Sequence, residues 1–290
     1  MQIYMSGKLV PEREAKVSVF DHGLLYGDGV FEGIRVYHDL VFMLDEHIDR
    51  LYRSAKAIDL TIPMTREGMA RAVVRTCKAN RIRDGYVRLL VTRGKGTLGL
   101  NPYVCKKPEV IIIASVIQLY PKKLYDEGLD IVTVGTMRNQ PEAINPRIKS
   151  LNYLNNVLAK IEALNSGVME CLMLNPQGYV AEASGDNVFA VRDGVLMTPP
   201  SWCGALDGIT RRVVMEELAP DLGCGVKEDV LTRYDLYTAD EVFLTGTAAE
   251  IIGVRKIDRR QIGEGRPGPI TRKLSKAFSQ MVQTVGTPIK

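Results

Sequence analysis

The pattern of apolar and polar residues predicts that strands and helices are mixed in the first part of the chain. Runs typical of β-structure predict strands at residues 3–5, 8–10, 31–37, 41–43, 86–92 and 110–117. Apolar residues at helical spacing predict one helix with Asp45 as its cap and a second helix at residues 67–79. These elements indicate an α/β or α+β domain.

The pattern changes after residues 119–126, where proline and lysine interrupt the apolar runs. Beyond this segment, short strands are predicted at residues 130–134, 170–174, 179–183, 187–191 and 195–197. An amphipathic helix carries apolar residues from Leu154 to Leu164, and further helices begin near Gly208, at Thr232 and near Pro269. We predict an N-terminal domain at residues 1–118, a linker at 119–126 and a larger, barrel-like C-terminal domain at 127–290.

The composition allows a sizeable core and excludes several classes of protein. Of the 290 residues, 46% are hydrophobic and 25% are charged, which excludes a disordered chain or a collagen. The net charge of +4 is spread along the chain, so no nucleic-acid partner is expected. The most apolar run, residues 110–117, is far shorter than the ~20 residues of a membrane helix, so no membrane partner is expected. Five cysteines without a C-x-x-C pair and an N-terminus without an apolar leader predict a cytoplasmic protein.

Two common kinds of site are disfavoured by the sequence. Its three histidines, His22, His38 and His47, lack the spacing of metal ligands, and no G-x-S-x-G motif of a serine hydrolase occurs. Residues 94–99 match G-x-G-x-x-G, but Pro102 follows almost at once and prevents the helix that a dinucleotide site requires. We interpret this segment as a loop, and a nucleotide-binding module without enzymatic activity is the alternative that it leaves open.

Lys149 is a better candidate, because it lies between a proline-containing segment and the amphipathic helix, in the sequence NPRIKSLNY. An amine can condense with an aldehyde, and it can also act as a base. Tyr153 is near enough in the sequence to share a site with it, and Glu182 lies at the end of a predicted strand before the small-residue turn ASGDN. On spacing alone, an ordinary surface lysine remains the alternative.

Six segments occur in the order of a known family, namely YGDGVFEGIRVY, EHIDRLYRSA, IKSLNYLNN, EASGDNVF, GITRRVV and TGTAAEI. Together they resemble the class IV aminotransferases that depend on pyridoxal 5′-phosphate, and most closely the branched-chain amino acid aminotransferases. The resemblance extends from about residue 3 to residue 280. It implies the two-domain fold type IV, with the cofactor in the cleft between a smaller α/β domain and a larger pseudo-barrel domain.

The resemblance also implies how the cofactor is bound. Lys149 would be joined to the cofactor aldehyde and would then move the proton between the substrate Cα and the cofactor. Glu182 would pair with the pyridine nitrogen, whose positive charge draws electrons from the substrate. Tyr153 would hydrogen-bond the phenolate oxygen.

The phosphate and ring contacts come from three other segments of the resemblance and from Leu206, which lies just before GITRRVV. Arg50 matches the phosphate arginine of the family, although on the predicted helix it lies opposite the apolar stripe, a position typical of a solvated arginine. Ile209 and Thr210 begin a helix whose amides suit an anion, Thr247 adds a hydroxyl and an amide, and Leu206 would pack against the ring.

The substrate pocket is implied by further matched positions, in FEGIR, YVR and TGTAA: Phe31, Gly33, Arg35, Tyr86, Arg88, Thr247 and Ala248. An apolar surface would accept the side chains of leucine, isoleucine or valine, while an arginine would admit the γ-carboxylate of glutamate. Backbone amides of Thr247 and Ala248 would hold the α-carboxylate. The implied reaction transfers an amino group between these amino acids and 2-oxoglutarate, and the implied assembly is a homodimer or a multiple of one.

Three features bear on related activities of the same class. The Arg-x-His of the D-amino acid aminotransferases is absent, since residues 97–99 are Thr-Leu-Gly. Lys149 and Tyr153 are four residues apart, one fewer than in many branched-chain enzymes, and KSLN is more like the D-amino acid enzymes. This departure concerns the position of Tyr153 and leaves mixed specificity open as an alternative. An aminodeoxychorismate lyase is disfavoured by the whole FEGIR and YVR set.

Overall fold

The computed structural model describes residues 1–117 and 120–290, which form two compact units. The first unit contains Met1–Ile117, Ile148–Asn152 and Val282–Lys290. The second, larger unit contains residues 120–147 and Tyr153–Met281. Within the segment predicted as a linker, Leu119 lies outside the described residues and Lys122–Glu127 form a helix.

The described residues form strands and helices in alternating groups along the chain. The strands are β1 (Gln2–Met5), β2 (Lys8–Pro11), β3 (Gly29–Tyr37), β4 (Leu40–Val41), β5 (Gly85–Thr92), β6 (Glu109–Ser115), β7 (Leu129–Thr133), β8 (Glu170–Leu174), β9 (Val180–Ala183), β10 (Asn187–Arg192), β11 (Val195–Thr198), β12 (Val226–Glu228), β13 (Glu241–Gly246), β14 (Glu250–Ile257), β15 (Arg260–Gln261) and β16 (Thr287–Pro288). The α-helices are α1 (His22–Tyr26), α2 (Leu44–Ala57), α3 (Arg66–Ala79), α4 (Lys122–Glu127), α5 (Leu154–Asn165), α6 (Ile209–Val213), α7 (Ala219–Asp221), α8 (Arg233–Tyr237) and α9 (Pro269–Met281).

The first unit is built on an antiparallel sheet with the strand order β16-β4-β3-β5-β6-β1-β2. Helices α2 and α3 contribute apolar side chains to the same core as β3, β5 and β6. The predicted cap of α2 is wrong: Met43 precedes the helix in a left-handed conformation, and Asp45 lies inside the first turn. There its negative charge still favours the helix, because the N-terminal end of a helix carries a partial positive charge.

A short segment from the middle of the chain belongs to the first unit because it hydrogen-bonds to β3. The backbone N–H of Phe31 donates to the carbonyl of Lys149 at 2.9 Å, and the N–H of Leu151 donates to the carbonyl of Gly29 at 2.9 Å. Lys149 is therefore fixed on the sheet of the first unit, in a position that sequence patterning could not assign.

The second unit contains a mixed sheet of short strands, in agreement with the sequence pattern. Its order is β12-β11-β10-β13-β14-β7-β8-β9, and β15 pairs with β14. The pairs β11–β12, β14–β7 and β7–β8 are parallel, whereas the others are antiparallel. The predicted helices after Gly208 and Thr232 are confirmed as α6 and α8, and a capping box joins Thr232 to Asp235 at the start of α8.

Helix α5 has the predicted length, but its apolar face is exposed on the single chain. The exposed side chains on this helix are Leu154, Val157, Leu158, Ile161 and Leu164. The face that packs on the unit consists instead of Asn156, Ala159 and Ala163. The small alanine side chains let the helix lie close to the sheet, and they leave the larger apolar residues outside.

Three smaller predictions are corrected or confirmed. Strand β6 ends at Ser115, and Val116 is exposed. The predicted helix near Pro269 is confirmed as α9, which buries Leu274 and Phe278. The glycine-rich segment at residues 94–99 forms no helix, in agreement with its interpretation as a loop. Among the described residues, no helix combines the length and the apolar character needed to cross a membrane.

Candidate active site

Lys149 is half-buried, and both its backbone N–H and its carbonyl form hydrogen bonds. Its backbone N–H donates to the Ser54 hydroxyl on α2 at 3.2 Å, while its carbonyl accepts from Phe31 on β3. Its amine lies 4.8 Å from the centre of the Phe31 ring. The backbone of this lysine is thus tied to a helix and a strand, and its side chain is directed over an aromatic residue of that strand.

The predicted substrate residues of the first unit share one face of the sheet. In the β3–β5 ladder, Gly33 lies opposite Arg88 and Arg35 lies opposite Tyr86. Residues opposite each other in an antiparallel pair project to the same side, and so do alternate residues of one strand. Phe31 therefore belongs to this face too, and the structure brings all five residues and the Lys149 amine together in the first unit.

Two contacts define the surface of this face. The Arg88 guanidinium lies 4.7 Å from the centre of the Phe31 ring and 5.4 Å from that of the Tyr86 ring, so it bridges two aromatic side chains. The Tyr86 hydroxyl lies directly over Gly33, where a β-carbon would approach it to 1.9 Å. The aromatic rings of Phe31 and Tyr86 therefore lie on either side of the Arg88 cation on this face.

Arg50 is buried, with only 4% of its surface exposed, and does not have the solvated environment that the helical pattern alone suggested. Its Nε and Nη2 donate to the two carboxylate oxygens of Glu32 at 2.7 and 2.8 Å. His47, one turn earlier on α2, contacts the same carboxylate through Nδ1 at 2.8 Å. Because an ionised carboxylate only accepts, Nδ1 must carry the proton.

The three buried groups fix each other's charge. Burial alone would raise the pKa of Glu32, but the charge and hydrogen bonds of Arg50, with the hydrogen bond from His47, hold that pKa well below its usual range. Burial lowers the pKa of His47, and the charges of Arg50 and Lys149 lower it further, against the opposing effect of Glu32. The group thus consists of a carboxylate, a guanidinium and a neutral imidazole.

Glu182 is the penultimate residue of β9 in the second unit, where it is buried and accepts three hydrogen bonds. Its Oε1 accepts from Nε of Arg138 at 2.8 Å. Its Oε2 accepts from the backbone N–H of Leu206 at 2.8 Å and from Nδ2 of Asn187 at 3.3 Å. Since Arg138 is buried beside it, the carboxylate has a cation in direct contact.

The other predicted cofactor residues of the second unit lie at the ends of its elements. Tyr153 precedes α5, and Ile209 and Thr210 are buried at the start of α6. Leu206 precedes α6 and is half-buried. Thr247 and Ala248 form the turn that joins β13 to β14.

A pair of buried acids lies behind this turn. Asp186 contacts the backbone of Gly246 so closely that a β-carbon there would be 1.9 Å from its carboxylate. The Tyr120 hydroxyl lies 3.2 Å from Glu170 and 3.5 Å from Asp186. Burial, and after it the charge of Glu170, raises the pKa of Asp186 to about 7.

Sequence reasoning missed four residues that hold the predicted ones: Glu32, His47, Arg138 and Asn187. Glu32 had a signal, because a glutamate in the middle of an apolar strand requires a buried partner. Arg138 had none, since it lies in a segment without regular secondary structure. Its contact with Glu182 spans 44 residues of sequence.

Comparison with known proteins agrees with this geometry. The family model described as amino-transferase class IV matches residues 29–257. The chain is 53% identical over 281 residues to a protein of Methanocaldococcus jannaschii provisionally named branched-chain-amino-acid aminotransferase, and the match covers 97% of this chain and 96% of that protein.

Two solved structures extend the comparison to the fold. The branched-chain amino acid aminotransferase of Escherichia coli matches with a TM-score of 0.95 and 38% identity, over 99% of this chain and 96% of that one. The branched-chain amino acid aminotransferase of Thermobaculum terrenum, solved in its pyridoxal-phosphate form, matches with a TM-score of 0.90 and 33% identity, over 100% of this chain and 98% of that one. The chain is therefore similar to these enzymes along its whole length.

Proposed function

Because the chain belongs to the class IV aminotransferases, and within them to the branched-chain-amino-acid aminotransferases, we propose that it transfers amino groups between L-leucine, L-isoleucine or L-valine and 2-oxoglutarate. Its cofactor is pyridoxal 5′-phosphate. The products are the branched 2-oxo acids and L-glutamate. The amino group leaves the first substrate before the oxo acid binds, which makes the reaction ping-pong.

The hydrogen bonds of Glu182 fit this cofactor. A carboxylate has about four lone-pair positions, and the three donors around Glu182 leave one for the ring N–H. When bound, pyridoxal phosphate supplies an aldehyde that takes up the amino group and a ring that withdraws electrons from the substrate Cα. Glu182 keeps the proton on the ring nitrogen, and Arg138 holds the Glu182 carboxylate in place through a 2.8 Å ion pair.

Lys149 performs the proton transfer in this proposal. Its amine binds the cofactor, and once the substrate displaces it, the amine removes the proton from the substrate Cα and returns a proton to the cofactor carbon. The two backbone hydrogen bonds of Lys149 hold the base in position during both steps. Tyr153 hydrogen-bonds the phenolate oxygen, Leu206 packs against the ring, and the phosphate is bound by Arg50, Ile209, Thr210 and Thr247.

The substrate side chain lies against the aromatic face in this proposal. Phe31, Gly33 and Tyr86 offer an apolar surface for a branched aliphatic group. Arg35 and Arg88 supply cations for the γ-carboxylate of glutamate, so both substrates can use one pocket. The amides of Thr247 and Ala248 hold the α-carboxylate.

We also propose that the protein is a homodimer or a multiple of one. The support is the exposed apolar face of α5, since contiguous apolar surface on a single chain marks a contact with another molecule. A cytoplasmic location is proposed with it. All five cysteines are free thiols, as is usual in a reducing compartment.

The single observation that carries the proposal is the position of the Lys149 amine over Phe31, on the face that the other predicted substrate residues share. The experiment is the visible absorption spectrum of the purified protein before and after addition of L-leucine. The cofactor band should shift to that of the amino form, and Lys149→Ala should lack the covalent band. Lys273→Ala, which removes an exposed lysine from α9, is the matched control and should behave as the native protein.

The related activities give other results in the same experiment. A response to D-alanine without one to L-leucine would indicate a D-amino acid aminotransferase and contradict the proposed specificity. Release of pyruvate from aminodeoxychorismate without an amino acceptor would indicate a lyase. A protein without a cofactor band after incubation with pyridoxal phosphate would contradict the role of Lys149.

A further inference from the structure

We propose that Glu32 and His47 are positioning residues, which together fix the Arg50 guanidinium for the cofactor phosphate. The inference rests on the proposed function, because it takes the phosphate contact of Arg50 from there. It assigns a task to two buried side chains that the proposed reaction does not otherwise use. Neither of them contacts the substrate or the reacting atoms in this proposal.

The first argument is the geometry of the pair. Glu32 contacts the edge of the guanidinium formed by Nε and Nη2 at 2.7 and 2.8 Å, which sets both the position and the plane of the group. Glu32 is fully buried, so the pair is little screened by solvent. An arginine side chain that is free to rotate would lose that freedom when it bound an anion, whereas a side chain fixed beforehand does not.

The second argument is the contact of His47 with Glu32. His47 and Arg50 are one turn apart on α2, and both reach the same carboxylate on β3. The imidazole is fully buried and neutral, so its Nδ1–H fixes the carboxylate without adding a second positive charge. Three hydrogen bonds among these side chains therefore connect α2 to β3.

The third argument is that Lys149 is attached to the same two elements. Its N–H contacts Ser54, one turn after Arg50 on α2, and its carbonyl contacts Phe31, the residue before Glu32 on β3. The contacts that fix Arg50 thus also set its distance from the lysine that binds the aldehyde. A phosphorylated cofactor requires this, because its aldehyde and its phosphate are at a fixed separation.

The direction in which Glu32→Gln changes the affinity for pyridoxal phosphate distinguishes a positioning role from a purely electrostatic one. Glu32→Gln removes a negative charge beside Arg50, so Coulomb attraction alone would tighten the binding of a phosphate. The new amide, however, turns an N–H toward an N–H of the guanidinium and breaks one of the two hydrogen bonds. If position dominates, the variant binds pyridoxal phosphate about tenfold more weakly, the loss expected for one charged hydrogen bond.

The experiment compares pyridoxal phosphate with pyridoxal, which lacks the phosphate, by absorbance titration of the apoprotein. Glu32→Gln should weaken only the phosphorylated ligand, and pyridoxal should stay within about twofold. His47→Leu removes the donor and should give the same phosphate-specific loss. His47→Asn places an N–H near the position of Nδ1 and should restore native affinity. The His47 variants also provide the test if Glu32→Gln does not fold.

Controls separate this inference from the function on which it rests. Leu51→Ala, a fully buried change on the same helix, should affect both ligands equally. The inference is overturned if the Glu32 and His47 variants resemble Leu51→Ala, or if they bind pyridoxal phosphate as tightly as the native protein or more tightly. If Arg50→Gln itself shows no phosphate-specific loss, the proposed phosphate contact is wrong. If only Arg50→Gln shows that loss, the contact stands and the positioning role fails.

Discussion

The Tyr86 hydroxyl occupies the space that a side chain on Gly33 would need, with 1.9 Å between that oxygen and a β-carbon built at residue 33. β3 and β5 are paired along almost their whole length, so the two strands cannot separate locally without loss of ladder hydrogen bonds. The glycine therefore determines how closely Tyr86 lies over the proposed substrate pocket.

Gly33→Ala is expected to displace the Tyr86 phenol and to weaken substrate binding. Overpacking of this kind costs about 1–3 kcal/mol, which corresponds to a KM for L-leucine raised by roughly tenfold or more. Steady-state kinetics with L-leucine and L-glutamate is the measurement. Gly225→Ala is the control, since a β-carbon there meets only ordinary contacts with Val195. An unchanged KM in Gly33→Ala would show that the position of Tyr86 does not matter for the substrate.

Removal of the cation beside Glu182 is expected to destabilise the protein strongly. Arg138→Met would leave a buried carboxylate without its 2.8 Å partner, which typically costs about 3–5 kcal/mol. Denaturant unfolding measures the loss. Arg266→Met removes an exposed ion pair with Glu264 and should change stability by less than about 1 kcal/mol. Equal losses in the two variants would contradict the importance of burial for this pair.

The sequence could predict those elements whose local pattern of apolar residues indicates burial. The predicted strands at residues 31–37 and 86–92 lie within β3 and β5, because both segments are rich in the β-branched and aromatic residues that are typical of strands. Lys149 and Glu182 could be identified only by the resemblance, since neither has a local pattern that distinguishes it from other charged residues. Their positions depend on contacts with segments far away in the sequence.

The environment of Arg50 could not be predicted from periodicity. A helical pattern identifies the face covered by apolar residues, but a second face can be covered when a buried carboxylate compensates its charge. Glu32 on β3 compensates the charge of Arg50 on α2 in this way. Helix α5 shows the converse, because its apolar residues Leu158 and Ile161 are exposed and its alanines face the unit. The hydrophobic pattern of a helix predicts that its apolar face is buried, but it does not identify the element or molecule that buries this face.

The contribution of Asp186 to stability is expected to fall as the pH rises from about 4 to about 7. Burial raises the pKa of this carboxyl from its ordinary value of 3.8 to about 7, so its ionisation favours the unfolded chain across this interval. The contribution is fully present below the lower value and is lost as the pH rises through the upper one. Asp186→Asn should remove this pH dependence, which is on the order of 4 kcal/mol.

Unfolding of the native protein and Asp186→Asn at several pH values measures this difference. The stability of the variant relative to the native protein should increase between the two pH values and should be greatest at about pH 8. Asp240→Asn changes an exposed carboxyl, which accepts a hydrogen bond from the backbone N–H of Asp193, and serves as the control. Parallel profiles for the native protein and Asp186→Asn would contradict the assignment.

The apolar face of α5 is expected to hold two copies of the protein together. Leu158 and Ile161 are each 46% exposed on the single chain, so Leu158→Glu with Ile161→Lys should change its folding free energy by no more than about 0.5 kcal/mol per residue. Charges that are buried in a contact between copies lose their hydration, however, and this cost should disrupt the assembly even if the two charges pair with each other. Sedimentation at several concentrations should therefore show a smaller species for the double variant. Tyr234→Glu, at an exposed aromatic residue on α8, should keep the native size. A double variant that folds and keeps the native assembly would exclude this face from the interface.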